Sequence, residues 1–298
     1  MFLGALVSFS TYAYLSIRSL IADPLIPVKL TITSWNINSV RLRINLVARF
    51  IKAVRPDILC LQETKCPDDK FPLKRLKRLG YEHAALNGQK GYHGVVVLSR
   101  LPFERFEIQT FCGKSDCRHV AAEFGERAGL RDPITVHNFY VPAGGDIPDP
   151  EVNPKFAHKL GFLDEMRDCA RLRPNASARA ILVGDLNVAP LEHDVWSHKQ
   201  MLRMVSHTPI ECEKLTRVQK SGDWVDSMRQ FTPEPAKLYT WWSYRSPDWA
   251  TADKGRRLDH IWTSPMLADR VAGIEIAKHY RGATRPSDHV PVTASLEV

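Results

Sequence analysis

A chain of 298 residues has room for one large core or two modest domains, and 44% hydrophobic with 25% charged content excludes a disordered or fibrous class. Lys and Arg number 41 against 33 Asp and Glu, a formal charge of +8 that favours polyanionic partners such as nucleic acid or an anionic membrane. Six cysteines, without a Cys-x-x-Cys pair or a histidine at zinc-finger spacing, exclude a zinc module and read as reduced thiols of a cytosolic protein; a Cys112–Cys117 disulfide is disfavoured.

Residues 1–27 stand apart. Met1 to Ala22 is apolar with Ser, Thr and Tyr mixed in, and no acid precedes Asp23. The lack of acids and the presence of Arg18 suit a signal anchor or an organelle presequence, but a charged start and a clean Ala-x-Ala site are missing. The globular pattern begins at Val28, which an alternative start codon can encode. The favoured reading is therefore a start assigned too far upstream, with a membrane anchor or targeting segment second. Residues 28–298 are expected to form one domain, cytoplasmic unless the extension is genuine.

Leu30 to Trp35 alternates as a strand and runs into Asn36-Ile37-Asn38. Apolar residues at Val40, Ile44, Val47, Ala48, Ile51 and Val54 keep helical spacing, opened by an Asn38 or Ser39 cap and stopped before Pro56. Ile58 to Leu61 reads as a buried strand delivering Gln62, Glu63, Thr64 and Lys65. This strand–helix–strand order with short joints predicts α/β layering. Phe71 to Leu79 predicts a basic amphipathic helix ended by Gly80. Gly94 to Leu98, His119 to Phe124 and Ile134 to Val141 are predicted strands, the last leading through Tyr140 to Pro142-Ala143-Gly144-Gly145.

Asp146 to Pro154, with three prolines, is a loop. Phe156, Leu160, Leu163 and Ala170 mark a helix to about Arg173. Ala180 to Val183 is a buried strand that Gly184 is expected to end in a tight bend, leaving Asp185 and Asn187 past its end, where open α/β sheets put their chemistry. Pro190 to Asp194 is a loop. Thr208-Pro209-Ile210-Glu211 is a capping box with Pro at the first helical position. Tyr239 to Trp249 is aromatic and polar, and Asp253 to Arg257 is expected to be a mobile loop. Leu258 to Trp262 is a short strand, Ser264-Pro265 opens a helix, and Val290 to Val298 is the last strand. No repeat or low-complexity block divides the chain.

Asn36, Glu63, Tyr140, Asp185, Asn187, Asp259, Asp288 and His289 all stand at strand ends. Taken singly, the acids suit turns, Asn36 suits a helix cap and Tyr140 suits a core. Gathered on one sheet edge, they would make a site of four carboxylates, one imidazole and several amides. Hard oxygen donors of this kind suit Mg²⁺ or Mn²⁺ rather than zinc. Phosphodiester hydrolysis needs a proton acceptor for water, neutralisation of the phosphoryl oxygens and help for the leaving oxygen. Neither a Gly-x-Ser-x-Gly element nor a Walker A loop is present, which removes serine hydrolases and P-loop enzymes.

The ordered set resembles the exonuclease III family of AP endonucleases within the endonuclease/exonuclease/phosphatase superfamily. The resemblance runs from Leu30 to Val298. Its elements are Ser34-Trp35-Asn36-Ile37-Asn38, Leu61-Gln62-Glu63-Thr64-Lys65, Gly91-Tyr92-His93-Gly94-Val95 and Tyr140-Val141-Pro142, followed by Gly184-Asp185-Leu186-Asn187, Tyr239-Thr240-Trp241-Trp242, Leu258-Asp259 and Ser287-Asp288-His289. It implies an α/β four-layer sandwich, two packed mixed β-sheets flanked by helices, with the site at one edge. It implies a Mg²⁺-dependent repair nuclease, monomeric, acting on double-stranded DNA at abasic sites and 3′ ends.

The resemblance further implies Glu63 as principal metal ligand, with Asn36, Asp185, Asn187, Asp288 and His289 in the metal and phosphate network. Tyr140 would contact the scissile phosphate, Asp185 serve the water or the leaving group, Asn187 hold both, and His289, oriented by Asp259, bind phosphate or act as base. Asn38, Arg41, His93, Trp241 and Arg256 are the DNA-facing candidates, with Trp241 beside an abasic-sugar pocket. By charge alone, Lys65, Lys74, Arg118, Lys254 and Arg257 are further phosphate candidates, with a solvent-facing role the better reading for each taken singly. Ala143 and Ser243 depart from the family's usual polar residues, which puts substrate preference in doubt. A same-fold phosphatase acting on lipid, inositol phosphate or nucleotide is the rival, and a non-catalytic DNA-binding protein the third reading.

Overall fold

Two strand–helix–strand units of the same plan form the centres of two sheets. A computed structural model describes residues 28–298 except Ala176 and Pro247; both readings of the N-terminal extension fall on residues 1–27, outside the described residues. The first sheet runs Val271–Ile276, Val292–Glu297, Lys29–Asn36, Ile58–Gln62, Val95–Ser99, His83–Asn87. The second runs Arg105–Glu107, His119–Phe124, Ile134–Tyr140, Ala180–Asp185, Asp259–Thr263, Val225–Asp226. In each, the central pair is parallel and its neighbours are antiparallel. A parallel pair needs a crossover, which helix Val40–Val54 supplies for one sheet and helix Pro154–Asp168 for the other.

Burial follows the period of two. Ile58 and Cys60 point between the sheets, whereas Leu59 and Leu61 point at the helices on the outer face. Ile181 and Val183 likewise face inward while Leu182 meets Phe139, Leu163, Met166 and Leu215 beneath helices Pro154–Asp168 and Pro209–Ser221. Strands covered on both faces read as continuous apolar runs, so these four-residue stretches were legible. The layers are helix, sheet, sheet, helix, as expected.

The strands the sequence did not announce lie at sheet edges: His83–Asn87, Arg105–Glu107 and Val271–Ile276. Edge strands carry charge and bury one face at most. Arg105–Glu107 is exposed throughout, leaving no apolar pattern to read. Asp253 to Arg257 is not simply a loop, since Gly255–Arg256 pairs with Trp241–Trp242. The Ser39 side chain makes no capping bond; its backbone N–H donates to Glu63 O at 2.7 Å and that of Val40 to Thr64 O at 3.1 Å, tying this helix start to the Glu63 turn. All six cysteines are free. Among the described residues, no helix is long and apolar enough to cross a membrane.

Gly184 is corrected too. The strand passes through it to Asp185 without a bend, at φ 142°, and a Cβ there would lie 2.0 Å from Phe139 O. Glycine is needed because the neighbouring backbone leaves no room for a side chain. Gly184→Ala is therefore expected to cost about 3 kcal/mol or more, as overpacking does, and to displace Asp185. Urea denaturation reads the cost; an unchanged midpoint would contradict it.

Candidate active site

Register alone brings the acids together. Antiparallel pairing sets Asp259 opposite Asp185, and parallel pairing sets Tyr140 beside it. At the matching end of the other sheet Asn36 pairs with Gln62, so Glu63 leaves the sheet next to it. An isolated bridge from Trp241 to His289 brings in the segment before the last strand. The cleft above these ends, of about 750 Å³, is lined by Glu63, Tyr140, Asp185, Asn187, Trp241, Arg256, Asp288 and His289 among others.

The backbone here is held in costly conformations. Asn38, Glu63, Lys65, His93 and Asn187 have φ of 46°, 50°, 50°, 51° and 54°. Left-handed non-glycine residues cost on the order of 1–3 kcal/mol each and persist where surrounding bonds over-determine them. Those bonds are present. Asn36 Nδ2 donates to Glu63 Oε1 at 3.0 Å and to Asp185 Oδ2 at 2.8 Å, linking the two sheets' carboxylates, while its Oδ1 accepts from Asn38 N at 3.0 Å. Asn36 thus clamps the two acids, and its Oδ1, with one bond accepted, keeps a second lone pair. Asn187 N donates to Asp185 Oδ1 at 3.0 Å, and its Nδ2 to Val141 O at 2.8 Å and Asp185 Oδ2 at 3.2 Å. With two acceptors fixing the amide nitrogen, Asn187 Oδ1 is the atom left free for the cleft.

Asp259 is fully buried, and its Oδ2 accepts from His289 Nδ1 at 2.8 Å. On the other side, His289 Nε2 lies 3.6 Å from Asp185 Oδ2. Burial alone would lower the imidazole's pKa, but Asp259 and Asp185 outweigh it and push it up to about 10. Asp259 Oδ1 has no partner among the described residues, which makes the imidazolium its chief compensation. Burial in turn raises Asp185 to about 7, against the pull of His289. Glu63 remains below the usual carboxylate range despite burial, because Lys65 Nζ at 2.8 Å and Asn36 hold its charge. Asp288 is also held low: burial is outweighed by His289 and by bonds from Trp241 Nε1 at 3.0 Å and Asn38 Nδ2 at 3.2 Å. Burial and Glu63 push the Tyr140 phenol well up, so it stays a donor, to Glu63 Oε1 at 2.9 Å.

The donor set fits a hard divalent cation. Asp185, Asp259 and His289 offer ligand atoms within 4.8 Å of one another, but an imidazolium has no lone pair to give. Further oxygen donors, Glu63, Asn187 and Asp288, line the same cleft as Asp185. Oxygen-only ligation of this sort suits Mg²⁺ or Mn²⁺.

The outer residues divide. Trp241 and Arg256 line the cleft, the guanidinium 4.9 Å above the indole, and Lys254 sits 4.7 Å over the Trp196 ring on the same wall. His93 lies in an adjoining groove, hydrogen-bonded to Arg118 Nη2 at 2.9 Å. Asn38 is half-buried, its Oδ1 accepting from Lys65 Nζ at 2.6 Å and its Nδ2 donating to Asp288 Oδ1 at 3.2 Å. Arg41 and Lys74 are exposed, and neither lines the cleft. Arg257 is not a phosphate contact. It is fully buried and paired with Asp194 at 2.8 Å and Asp226 at 2.5 Å. Arg118 is nearly buried over the Tyr140 ring, 5.0 Å away, and supports that residue. Sequence reasoning passed over Lys159 and Trp196, which the helix period marks only as core and loop positions.

Residues 33–289 match the endonuclease/exonuclease/phosphatase family. The chain is 30% identical over 272 residues to exodeoxyribonuclease III of Haemophilus influenzae, spanning 89% of this chain and 98% of that protein. An AP endonuclease structure from Archaeoglobus fulgidus is similar with a TM-score of 0.81 and 31% identity, over 90% of this chain and 100% of that one. A 3′ phosphatase from Neisseria, bound to a product DNA hairpin, reaches a TM-score of 0.80 and 29% identity over 90% of this chain and 100% of its own.

Proposed function

The chain belongs to the endonuclease/exonuclease/phosphatase family and is a phosphodiester hydrolase of the exonuclease III type, and we propose that it is a cytoplasmic, monomeric DNA repair nuclease that cuts 5′ to abasic sites and clears 3′ ends. The observation that carries this reading is the meeting of Glu63, Asp185 and His289 in one cleft. The basic, aromatic wall of Trp241, Arg256, Trp196 and Lys254 suits a polyanion that also presents flat rings or sugars.

In this mechanism His289, kept protonated by its two carboxylates, donates from Nε2 to a phosphoryl oxygen. The Tyr140 hydroxyl, which donates to Glu63 Oε1 in the substrate-free cleft, turns its hydrogen bond to the same phosphate when substrate enters. Asn187 Oδ1 orients the attacking water, and Asp185, fixed by Asn36, takes its proton; as the new P–O bond forms the P–O3′ bond breaks, and the departing 3′ oxygen takes up a proton from solvent. A Mg²⁺ ion held by Glu63, with Asn187 and Asp288, would supply neutralisation of charge on the phosphoryl oxygens. Its retained proton makes His289 the donor and leaves the base role to Asp185.

The pH dependence follows. Asp185 must be ionised and His289 charged, so kcat/KM is expected to rise with pH as Asp185 deprotonates near 7 and to fall as His289 loses its proton near 10. A bound cation would pull the acid limb lower. Cleavage of an abasic oligonucleotide, with and without EDTA and across pH, tests both statements. A flat profile from acid to alkaline pH would remove the role assignment, and turnover of inositol phosphates with none on DNA would replace the substrate.

A further inference from the structure

We infer that Lys159 is a positioning residue: its buried ammonium group, neutralised by Glu211, fastens Asn187 and two neighbouring loops to the wall of the reactive cleft. This rests on the hydrolase reading above, because it is Asn187 that Lys159 would position.

Lys159 lies on helix Pro154–Asp168 and is fully buried, a rare condition for lysine unless it is paired. Its three protons are all used. Nζ donates to the Glu211 carboxylate, to Asn187 O at 2.7 Å and to Ala143 O at 3.4 Å. The side-chain stem is used as well. Gly144, at φ 89°, lies against it, and a Cβ there would come within 2.9 Å of Lys159 Cδ.

Glu211 is also fully buried, and it accepts from Ser206 N at 3.0 Å, Thr208 N at 3.1 Å and Thr208 Oγ1 at 2.6 Å. Its local duty is the capping box of helix Pro209–Ser221. The pairing with Lys159 extends that duty to the cleft. One cation and one anion thereby fasten the Ala143–Gly145 turn, the Asn187 turn and the Val205–Ser206 segment, each of which lines the cleft.

Stability alone does not explain such a pair, since well-packed apolar residues often replace buried ion pairs without loss. What an apolar side chain cannot replace is the donor to Asn187 O. That carbonyl belongs to a left-handed residue, φ 54°, whose side chain is already spent on Asp185 and Val141. Without Lys159 the carbonyl is left seeking a partner, and the turn that aims Asn187 Oδ1 loses the bond that holds its backbone from the side away from Asp185 and Val141. A misplacement of about 1 Å at a reacting group costs on the order of 10²-fold.

The test separates charge balance from positioning. Lys159→Met alone strands the Glu211 carboxylate and is expected to lower the melting temperature. Lys159→Met with Glu211→Gln removes both charges and is expected to regain most of that temperature, while kcat on a DNA substrate stays about 10- to 100-fold down with KM little changed. A double variant turning over at the wild-type kcat, or one altered in KM alone, overturns the inference. Should the Met variants not fold, Lys159→Gln with Glu211→Gln is read in the same way, because an amide one atom shorter cannot reach both carbonyls. Wild-type protein that cleaves no DNA would overturn the hydrolase reading instead, before any variant is compared.

Discussion

Asp185→Asn is expected to lower kcat by about 10²- to 10⁴-fold, the usual contribution of a positioned acid or base, while the protein remains folded and binds DNA. The substituted amide keeps the shape of the carboxylate but cannot accept a proton from water. It also meets three donors, Asn36 Nδ2, Asn187 N and Asn187 Nδ2, with a single acceptor oxygen. Stability is expected to move the other way at alkaline pH. Burial raises the folded pKa of Asp185 to about 7, whereas an unfolded aspartate ionises near ~3.9. Between those values the folded state binds more protons than the unfolded one, so stability falls as pH rises through the window. A neutral residue escapes that loss. The melting temperature of the variant should therefore equal or exceed that of the wild type at about pH 8, with turnover gone. Turnover within ten-fold of wild type would remove Asp185 from the reaction.

Asp259→Asn is expected to cost about 10²- to 10⁴-fold in kcat by a different route, as loss of the orienting acid does in other acid–imidazole pairs. Asp259 is out of reach of the substrate, being fully buried, but it receives the His289 Nδ1 proton at 2.8 Å and contributes most to keeping that ring charged. With its charge removed, the imidazole is expected to lose its proton at lower pH. The diagnostic is the alkaline limb of the pH–rate profile, which should move from near 10 toward neutrality. Loss of kcat with that limb unmoved would mean that Asp259 acts only as scaffold. Both variants are compared at saturating metal, so that cation affinity does not enter the reading.

The chemistry was more legible in the chain than the geometry that arranges it. Glu63, Asp185, Asp259 and His289 could be picked out because each follows or opens an apolar run, and because their order resembles one family's. The buried strands Ile58–Gln62 and Ala180–Asp185 were visible for the same reason. Edge strands were not, since one exposed face erases the pattern. Nor could the sequence tell Arg256 from Arg257: one ends the short strand Gly255–Arg256 and faces the cleft, the next lies just past it and turns onto Asp194. Nothing in the sequence marked the role of Lys159, because a counter-ion 52 residues away leaves no local trace. Gly184 was misread for a related cause, its constraint coming from the backbone of another strand.

The division of the cleft between two sheets bears on how a cell makes this enzyme safely. Asn36 reaches from one sheet to the acid of the other, and His289 precedes Val292–Glu297, the strand that lies antiparallel to Lys29–Asn36. During translation the early half of the site thus waits for residues added some 250 positions later, and domains assemble only as their partners emerge from the ribosome. A nascent or truncated product carries Glu63 and Asp185 but lacks His289, so on the proposed mechanism strand-cutting power arrives only with the finished sandwich.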